Sequence, residues 1–113
     1  MNVINVHAAG LDGKSPFNEY DLRDKGVTGV DFRVQGVLVR QWRTVHVLIS
    51  AVNTIVSKNL REFAFVCSHA THRSVGCCFL LAIFAFPRAK IVLTTRRTME
   101  AARAQGLEVV QLG

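Results

Sequence analysis

The chain has 113 residues, half of them hydrophobic, which suits one globular domain with its own core rather than a disordered segment. Its formal net charge is +6, and residues 58–113 hold most of the excess, with eight Lys/Arg against three Asp/Glu. A basic surface of this kind attracts anions, such as phosphorylated metabolites or the backbone of a nucleic acid.

The three cysteines are an odd set, and two of them are adjacent, which argues against the disulfide framework of a small secreted protein. We therefore expect a reducing, cytoplasmic environment. The first residues lack the basic and long apolar stretches of a signal peptide, and the apolar run at residues 75–86 is too short to cross a bilayer. No membrane role is expected.

The predicted elements alternate between strands and helices. A short strand at residues 3–6 leads into a long irregular connection over residues 8–30, where glycines and a proline interrupt regular structure. Apolar residues three or four apart then predict a helix over residues 41–58, with Trp42 in the stripe that covers the sheet. The remaining predicted elements are a strand at 62–67, a helix at 73–86 stopped by Pro87, a strand at 90–93, a helix at 98–105 and a strand at 108–112.

This alternation predicts an α/β fold: a three-layer α/β/α sandwich with a mostly parallel sheet of about four strands. The whole chain, residues 1–113, is expected to form a single anion-binding domain.

The loop Cys67-Ser68-His69-Ala70-Thr71-His72-Arg73-Ser74 carries the strongest functional signal, because it joins a predicted strand to the helix that follows. Backbone N–H groups in the first turn of a helix lack partners within the helix, and the helix dipole adds partial positive charge there. A phosphate or similar anion is therefore expected to bind here. Arg73 can hold it with two N–H groups, Ser74 can donate its hydroxyl or cap the helix, and Ser68, Thr71 and His72 complete the set of predicted ligand contacts.

Cys67 has two interpretations. A helix N-terminus and a nearby arginine favour the thiolate, so this residue could be a nucleophile. A buried cysteine at the end of a strand is the other interpretation, and we assign Cys77 and Cys78 to core packing. The spacing of Cys67, His69 and His72 matches no common zinc pattern, so neither a metal nor another cofactor is predicted.

A second basic cluster, Thr94-Thr95-Arg96-Arg97-Thr98, follows the predicted strand at residues 90–93. In a parallel sheet it emerges at the same edge as the Cys67 loop, and ligands of open α/β sheets bind at that edge. We therefore add Arg97 to the ligand site and expect Arg96, Arg97 and Arg103 to contact RNA. A solvated turn with Thr98 as the helix N-cap explains the same residues without a ligand.

The pattern Cys-x5-Arg-Ser at a strand–helix junction resembles the phosphate loop of cysteine-dependent phosphatases of the protein tyrosine and dual-specificity type. The resemblance implies that Cys67 attacks phosphorus, that Arg73 holds the phosphoryl oxygens, and that Asp12 or Asp31 protonates the leaving group. Three positions depart from this family, which usually has His before the cysteine and Gly third and fifth after it; here these are Val66, Ala70 and His72.

Nearly the whole chain is similar to the C-terminal domain of the RapZ family of bacterial RNA adapter proteins. The loop of that family reads Cys-Thr-Gly-Gly-x-His-Arg-Ser-Val and agrees at Cys67 and at residues 72–75. Further similar stretches are Leu22-Arg23, Thr28-Gly29-Val30-Asp31 and Arg97-Thr98-Met99-Glu100, whereas His69 and Ala70 replace the two glycines and His7 and Ala9 replace an early Asp-x-Arg pair.

The RapZ resemblance implies a domain that binds an aminosugar phosphate and small RNA and is not itself a catalyst. It also implies that Arg23 and Asp31, from the long connection, join the ligand site beside Arg97. The expected function is therefore recognition of a phosphorylated small molecule, with RNA as a further partner and a cysteine-dependent phosphatase as the alternative.

Overall fold

A computed structural model of the protein describes residues 4–10, 28–67 and 73–111. Helices and strands alternate along it, and all four strands are parallel, which confirms the predicted α/β class and the parallel sheet of about four strands. The elements are β1 (Asn5–Gly10), α1 (Phe32–Val39), α2 (Trp42–Lys58), β2 (Glu62–Cys67), α3 (Arg73–Phe84), β3 (Lys90–Leu93), α4 (Arg96–Ala104) and β4 (Val110–Gln111).

The strands lie in the order β2-β1-β3-β4, so β1 is flanked by the two strands that follow it along the chain. Parallel neighbours need a crossover connection, and each of these connections carries at least one helix. The register pairs Gly10 of β1 with Cys67 of β2, and β3 ends at Leu93, one residue beyond the pair of His7 with Val92. The carboxyl ends of three strands therefore meet at one edge of the sheet.

The core follows from the alternation of side chains along the strands. Val6 and Ala8 of β1 are completely buried, and their neighbours in register, Phe65 and Ile91, lie on the same face and are buried too. This face forms one hydrophobic cluster with residues of α2, α3 and α4. On the opposite face Ala64 and Val66 of β2 are exposed, so in the described part of the chain that face is less covered.

Helix α3 is the most deeply buried helix of those described. Seven of its twelve residues are buried, among them Cys77 and Cys78, as expected for core packing. It lies against β1 and β2 on one side and against α1 and α2 on the other. The position of α3 therefore fixes where Arg73, its first residue, lies relative to the end of β2.

Helix α1 was not among the predicted elements. Its buried residues Val34 and Leu38 pack with Leu80 of α3, and Asp31 caps its N-terminus. At Gly76 of α3 the two helices approach so closely that a Cβ there would stand 2.3 Å from Cδ1 of Leu38. A side chain at that position would require the end of the Leu38 side chain to move.

Helix α2 has nearly the predicted length, but its predicted buried stripe is correct only in part: Leu48 and Val52 pack half-buried against the core, whereas other members of the stripe are exposed. Its buried residues are Thr44, Ala51 and Ile55, one position away from the expected line, because α2 packs against α1 and α3. Trp42 is 76% exposed, and Ile49 and Val56 are 54% and 67% exposed. The tryptophan is consequently available at the surface.

Several boundaries also differ from prediction. Strand β1 extends to Gly10, α3 ends two residues early at Phe84, and β4 begins two residues late at Val110; Leu112, its predicted last residue, lies outside the described residues. Helix α4 begins at Arg96 because the Thr95 hydroxyl, and not Thr98, caps it by accepting a hydrogen bond from the Thr98 N–H at 3.3 Å. None of the helices in the described ranges is both long and apolar enough to span a bilayer.

The close contact of α1 and α3 gives a test of the packing. Gly76→Ala should lower the free energy of unfolding by about 1 kcal/mol, because overpacking costs roughly 1–3 kcal/mol and exceeds the helix propensity that alanine adds. Gly36→Ala in α1 is the matched control, since nothing lies within 4 Å of an added Cβ, and it should raise stability by up to about 1 kcal/mol. Urea unfolding measures both; a Gly76→Ala protein as stable as Gly36→Ala would contradict the contact.

Candidate anion-binding site

The predicted anion loop joins the end of β2 to the beginning of α3. Cys67 is the last residue of β2, and Arg73 is the first residue of α3. The strand and the helix therefore occur where the sequence predicted them. The predicted site residues Ser68, Thr71, His72 and Arg23, with the alternative acid Asp12, lie outside the described residues.

Two side chains of the predicted site are described at the start of α3. Arg73 is half-buried, whereas Ser74 is 2% exposed. A half-buried guanidinium at a helix N-terminus can donate to an anion together with the backbone N–H groups of the first turn. Ser74 is a polar residue enclosed by the protein, which suits a role in holding the start of α3 in place.

The second predicted cluster lies at the junction of β3 and α4, at the same edge of the sheet. The hydroxyl of Thr94 donates to the carbonyl oxygen of Ala8 in β1 at 3.2 Å, which ties the end of β3 to β1. Arg96 and Arg97 are exposed in the first turn of α4, behind its cap Thr95. Two helices thus begin at this edge, each with arginine in its first turn.

The strand order marks the place where a ligand would sit. From β1 the chain proceeds through α1 and α2 to β2, whereas from β3 it proceeds through α4 to β4 on the other side. In open parallel sheets the ligand crevice usually lies at such a divergence, which here falls between the carboxyl ends of β1 and β3. Thr94 is the residue that follows β3 at this point. The sequence analysis placed Thr94 in the second cluster but did not count it among the ligand residues.

Asp31 is described, and it makes a structural contact that the sequence analysis did not predict. Its carboxylate accepts hydrogen bonds from the backbone N–H of Arg33 at 2.7 Å and from the guanidinium of Arg33 at 3.0 and 2.8 Å. Gly29, two residues before it, would be 3.8 Å from a Cβ on Gly76, so this segment runs beside α3. Asp31 is therefore the N-cap of α1, and the segment that precedes it runs beside the first turns of α3.

The hydrogen bonds from the side chain and the backbone of Arg33 hold the pKa of Asp31 below its ordinary value. A general acid for a leaving group needs a raised pKa, so that it carries a proton at neutral pH. Asp31 is an ion-paired carboxylate in this arrangement, which argues against its use as the acid of a phosphatase.

A separate polar cluster ties β1 to β2 on the less covered face of the sheet. Asn5 donates to Oε1 of Glu62 at 2.8 Å, and the ring Nε2 of His7 is hydrogen-bonded to Oε2 of the same carboxylate. These contacts, first that of Asn5 and then that of His7, lower the pKa of Glu62. The described residues contain no group of three or more His, Cys, Asp or Glu side chains that could hold a metal ion.

Comparison of the chain with models of known protein families, with curated proteins and with solved structures gave no match. The similarities to the RapZ domain and to the phosphatase loop therefore depend on the quoted motifs alone, and both remain predictions.

The cap at Asp31 provides a test that separates its structural role from a ligand role. Asp31→Ala should lower the free energy of unfolding by about 1 kcal/mol, because the Arg33 N–H loses its acceptor, whereas Asp31→Asn keeps that acceptor and should cost less. A carboxylate with a lowered pKa stabilises the fold at neutral pH, and this contribution is lost as the pH falls below about 4. The advantage of the wild type over Asp31→Asn in urea unfolding should thus vanish in acid; an unchanged advantage would contradict the ion pair.

Proposed function

We propose that the protein is a binding domain for a phosphorylated small molecule, which it holds at the carboxyl edge of its parallel sheet. The observation that carries the proposal is the meeting of two helix N-termini at one edge, with Arg73 in the first turn of α3 and Arg97 in that of α4. Positive dipole ends at one edge, with an arginine in the first turn of each helix, favour a dianion over a neutral ligand.

The part of the ligand attached to the phosphate would bind between the carboxyl ends of β1 and β3. A phosphate bound at the start of α3 would leave the attached sugar next to the ends of these two strands, where Thr94 is fixed by Ala8. The motif shared with the RapZ domain supports an aminosugar phosphate as the first ligand to test. Ser74 contributes by keeping the first turn of α3 rigid, because it is buried there.

Binding should be measured by titrating isotope-labelled protein with glucosamine-6-phosphate and with inorganic phosphate, following the backbone amides by NMR. We expect saturable shifts at residues 73–75 and 94–98, larger for the sugar phosphate. Arg73→Ala should weaken binding about tenfold or more, since hydrogen bonds to charged groups contribute roughly 1.5–3 kcal/mol. Arg88→Ala removes an exposed arginine near the opposite end of β3 and is the control.

An equal loss of affinity in Arg73→Ala and Arg88→Ala would contradict a specific site, because it would show that the ligand is held by general charge attraction. The same samples test the phosphatase alternative with a chromogenic aryl phosphate. A binding domain should give no turnover, whereas hydrolysis that disappears in Cys67→Ser would make the protein an enzyme and overturn the proposal.

RNA is the second proposed partner, and α4 offers one observation in its favour. Arg96 and Arg103 are both exposed and stand seven residues apart, which aligns them on one side of the helix about 10 Å from each other. Glu100 lies between them and pairs with Arg96, N to O 2.9 Å, which reduces the positive charge of this side. Phosphate contacts at α4 should therefore be few, and the affinity should depend only weakly on salt.

This arrangement predicts opposite effects for two variants. Replacing Arg96 and Arg97 together with alanine should weaken RNA binding and reduce the slope of log affinity against log salt by about two. Glu100→Gln removes the competing carboxylate and should strengthen binding. Filter binding or fluorescence anisotropy over a salt series measures both, and insensitivity of the affinity to all three changes would exclude α4 as an RNA surface.

A further inference from the structure

We infer that the outer edge of β2 pairs with β2 of a second copy of this chain, which joins the two four-stranded sheets into one. This inference does not depend on the phosphate site. Strand β2 (Glu62–Cys67) stands at one end of the strand order β2-β1-β3-β4 and is six residues long. In the described part of the chain its only neighbouring strand is β1, so its other side is an edge of the sheet.

The backbone of β2 divides its hydrogen-bonding groups between two sides. The N–H and C=O of one residue point to the same side of a strand, and those of the next residue point to the other side. The carbonyl oxygen of Arg61 accepts from the N–H of Asn5 at 2.9 Å, so Arg61 and every second residue after it direct these groups towards β1. The intervening residues therefore direct their N–H and C=O away from the sheet: Glu62, Ala64 and Val66.

The residues of β2 do not protect this edge. Edge strands usually carry lysine, proline or a bulge, or are very short, like the described residues of β4 at the other edge. Strand β2 contains neither lysine nor proline, and its register with β1 is uninterrupted. Its only charged side chain, that of Glu62, is hydrogen-bonded to Asn5 and His7 and is thus held towards β1. The edge is consequently a template for another strand.

The pattern of outward groups selects β2 itself as that strand. In an antiparallel pair, opposite residues share a face and alternate between positions that exchange two hydrogen bonds and positions that exchange none. A two-fold axis at Ala64 sets Ala64 opposite its counterpart and Glu62 opposite Val66 of the second copy. All outward residues then meet outward residues, which gives about six hydrogen bonds across the edge. The half-buried Phe63 comes opposite Phe65 of the second copy, at a position without hydrogen bonds, where side chains are closest.

The side chains of β2 suit the same arrangement. The rings of Phe63 and Phe65 stand edge to face with centroids 5.2 Å apart, so the paired strands carry a continuous row of phenylalanines on the core side of the sheet. Ala64 is small where the two strands meet at the axis, and Val66, which is 50% exposed, is covered in part by the second copy. No like charges stand opposite each other, because Glu62 faces Val66. A second copy brings this complementarity by symmetry alone.

The dependence on protein concentration is the first measurement. A six-residue edge gives a small interface, so we expect weak dimers that form between about 10 μM and 1 mM in sedimentation velocity. Amide hydrogen exchange by NMR adds a pattern specific to this edge. Protection at Glu62, Ala64 and Val66 should grow with protein concentration, whereas Phe63 and Phe65, which are already bonded to β1, should be protected at every concentration.

Two variants remove the pairing without disturbing the bonds to β1. Ala64→Pro deletes an N–H that points away from the sheet, and proline is tolerated at such edge positions. Ala64→Lys keeps the backbone and sets two ammonium groups opposite each other at the axis. Each should raise the dissociation constant of the dimer about tenfold or more and leave the circular dichroism of the wild type. Val110→Lys adds the same charge on β4 and is the matched control, which should dimerise like the wild type.

A protein that remains monomeric over this concentration range would overturn the inference and leave the edge to an extended segment of another protein. Dimers in which Ala64 gains no protection would overturn it too, because another surface would then hold them together. A folded Ala64→Lys protein that dimerises as well as the wild type would have the same consequence, whether or not Ala64→Pro folds.

Discussion

The position of α3 is the constraint on which the rest of the structure depends. A helix with seven buried residues between a sheet and two other helices cannot move without opening the core on both sides. Gly76 permits this packing, because the Leu38 side chain occupies the space where a Cβ would stand. The buried helix holds Arg73 at the end of β2 and, through the same contact, keeps Asp31 and the start of α1 near that edge. The local geometry of the candidate site is thus a consequence of core packing.

The elements that could be predicted from the sequence are those with one strong local signal. Strands β2 and β3 are short apolar segments between polar residues, and α3 is an apolar run that ends before Pro87, so their boundaries were found to within about two residues. Helix α1 was missed because Gly36 stands in its middle, although Asp31 as a cap and Val34 and Leu38 four apart were visible signals.

Periodicity located α2 correctly and still selected the wrong side of it. Thr44 and Ala51 are weakly hydrophobic, so a search for large apolar residues passes over the line that is buried and finds the neighbouring line, which includes Trp42. The helix lies close to α1 and α3, and small residues permit that approach. An amphipathic pattern therefore reports that a helix has two different sides, but the size of the side chains, and not hydrophobicity alone, decides which side faces the core.

The distribution of charge follows the same principle. Halves of the sequence suggested that the basic surface belongs to residues 58–113, but five of the eight acidic residues fall between Asp12 and Asp31. In the net charge of the first half these acids balance the basic residues of the next thirty positions, which form α1 and α2 and contain no Asp or Glu. At α4, by contrast, Glu100 forms an ion pair with Arg96 one turn away. Because electrostatic attraction depends on which charges lie within about a Debye length of each other, the charge of a surface follows from the residues that lie together on it and not from the sum over one half of the sequence.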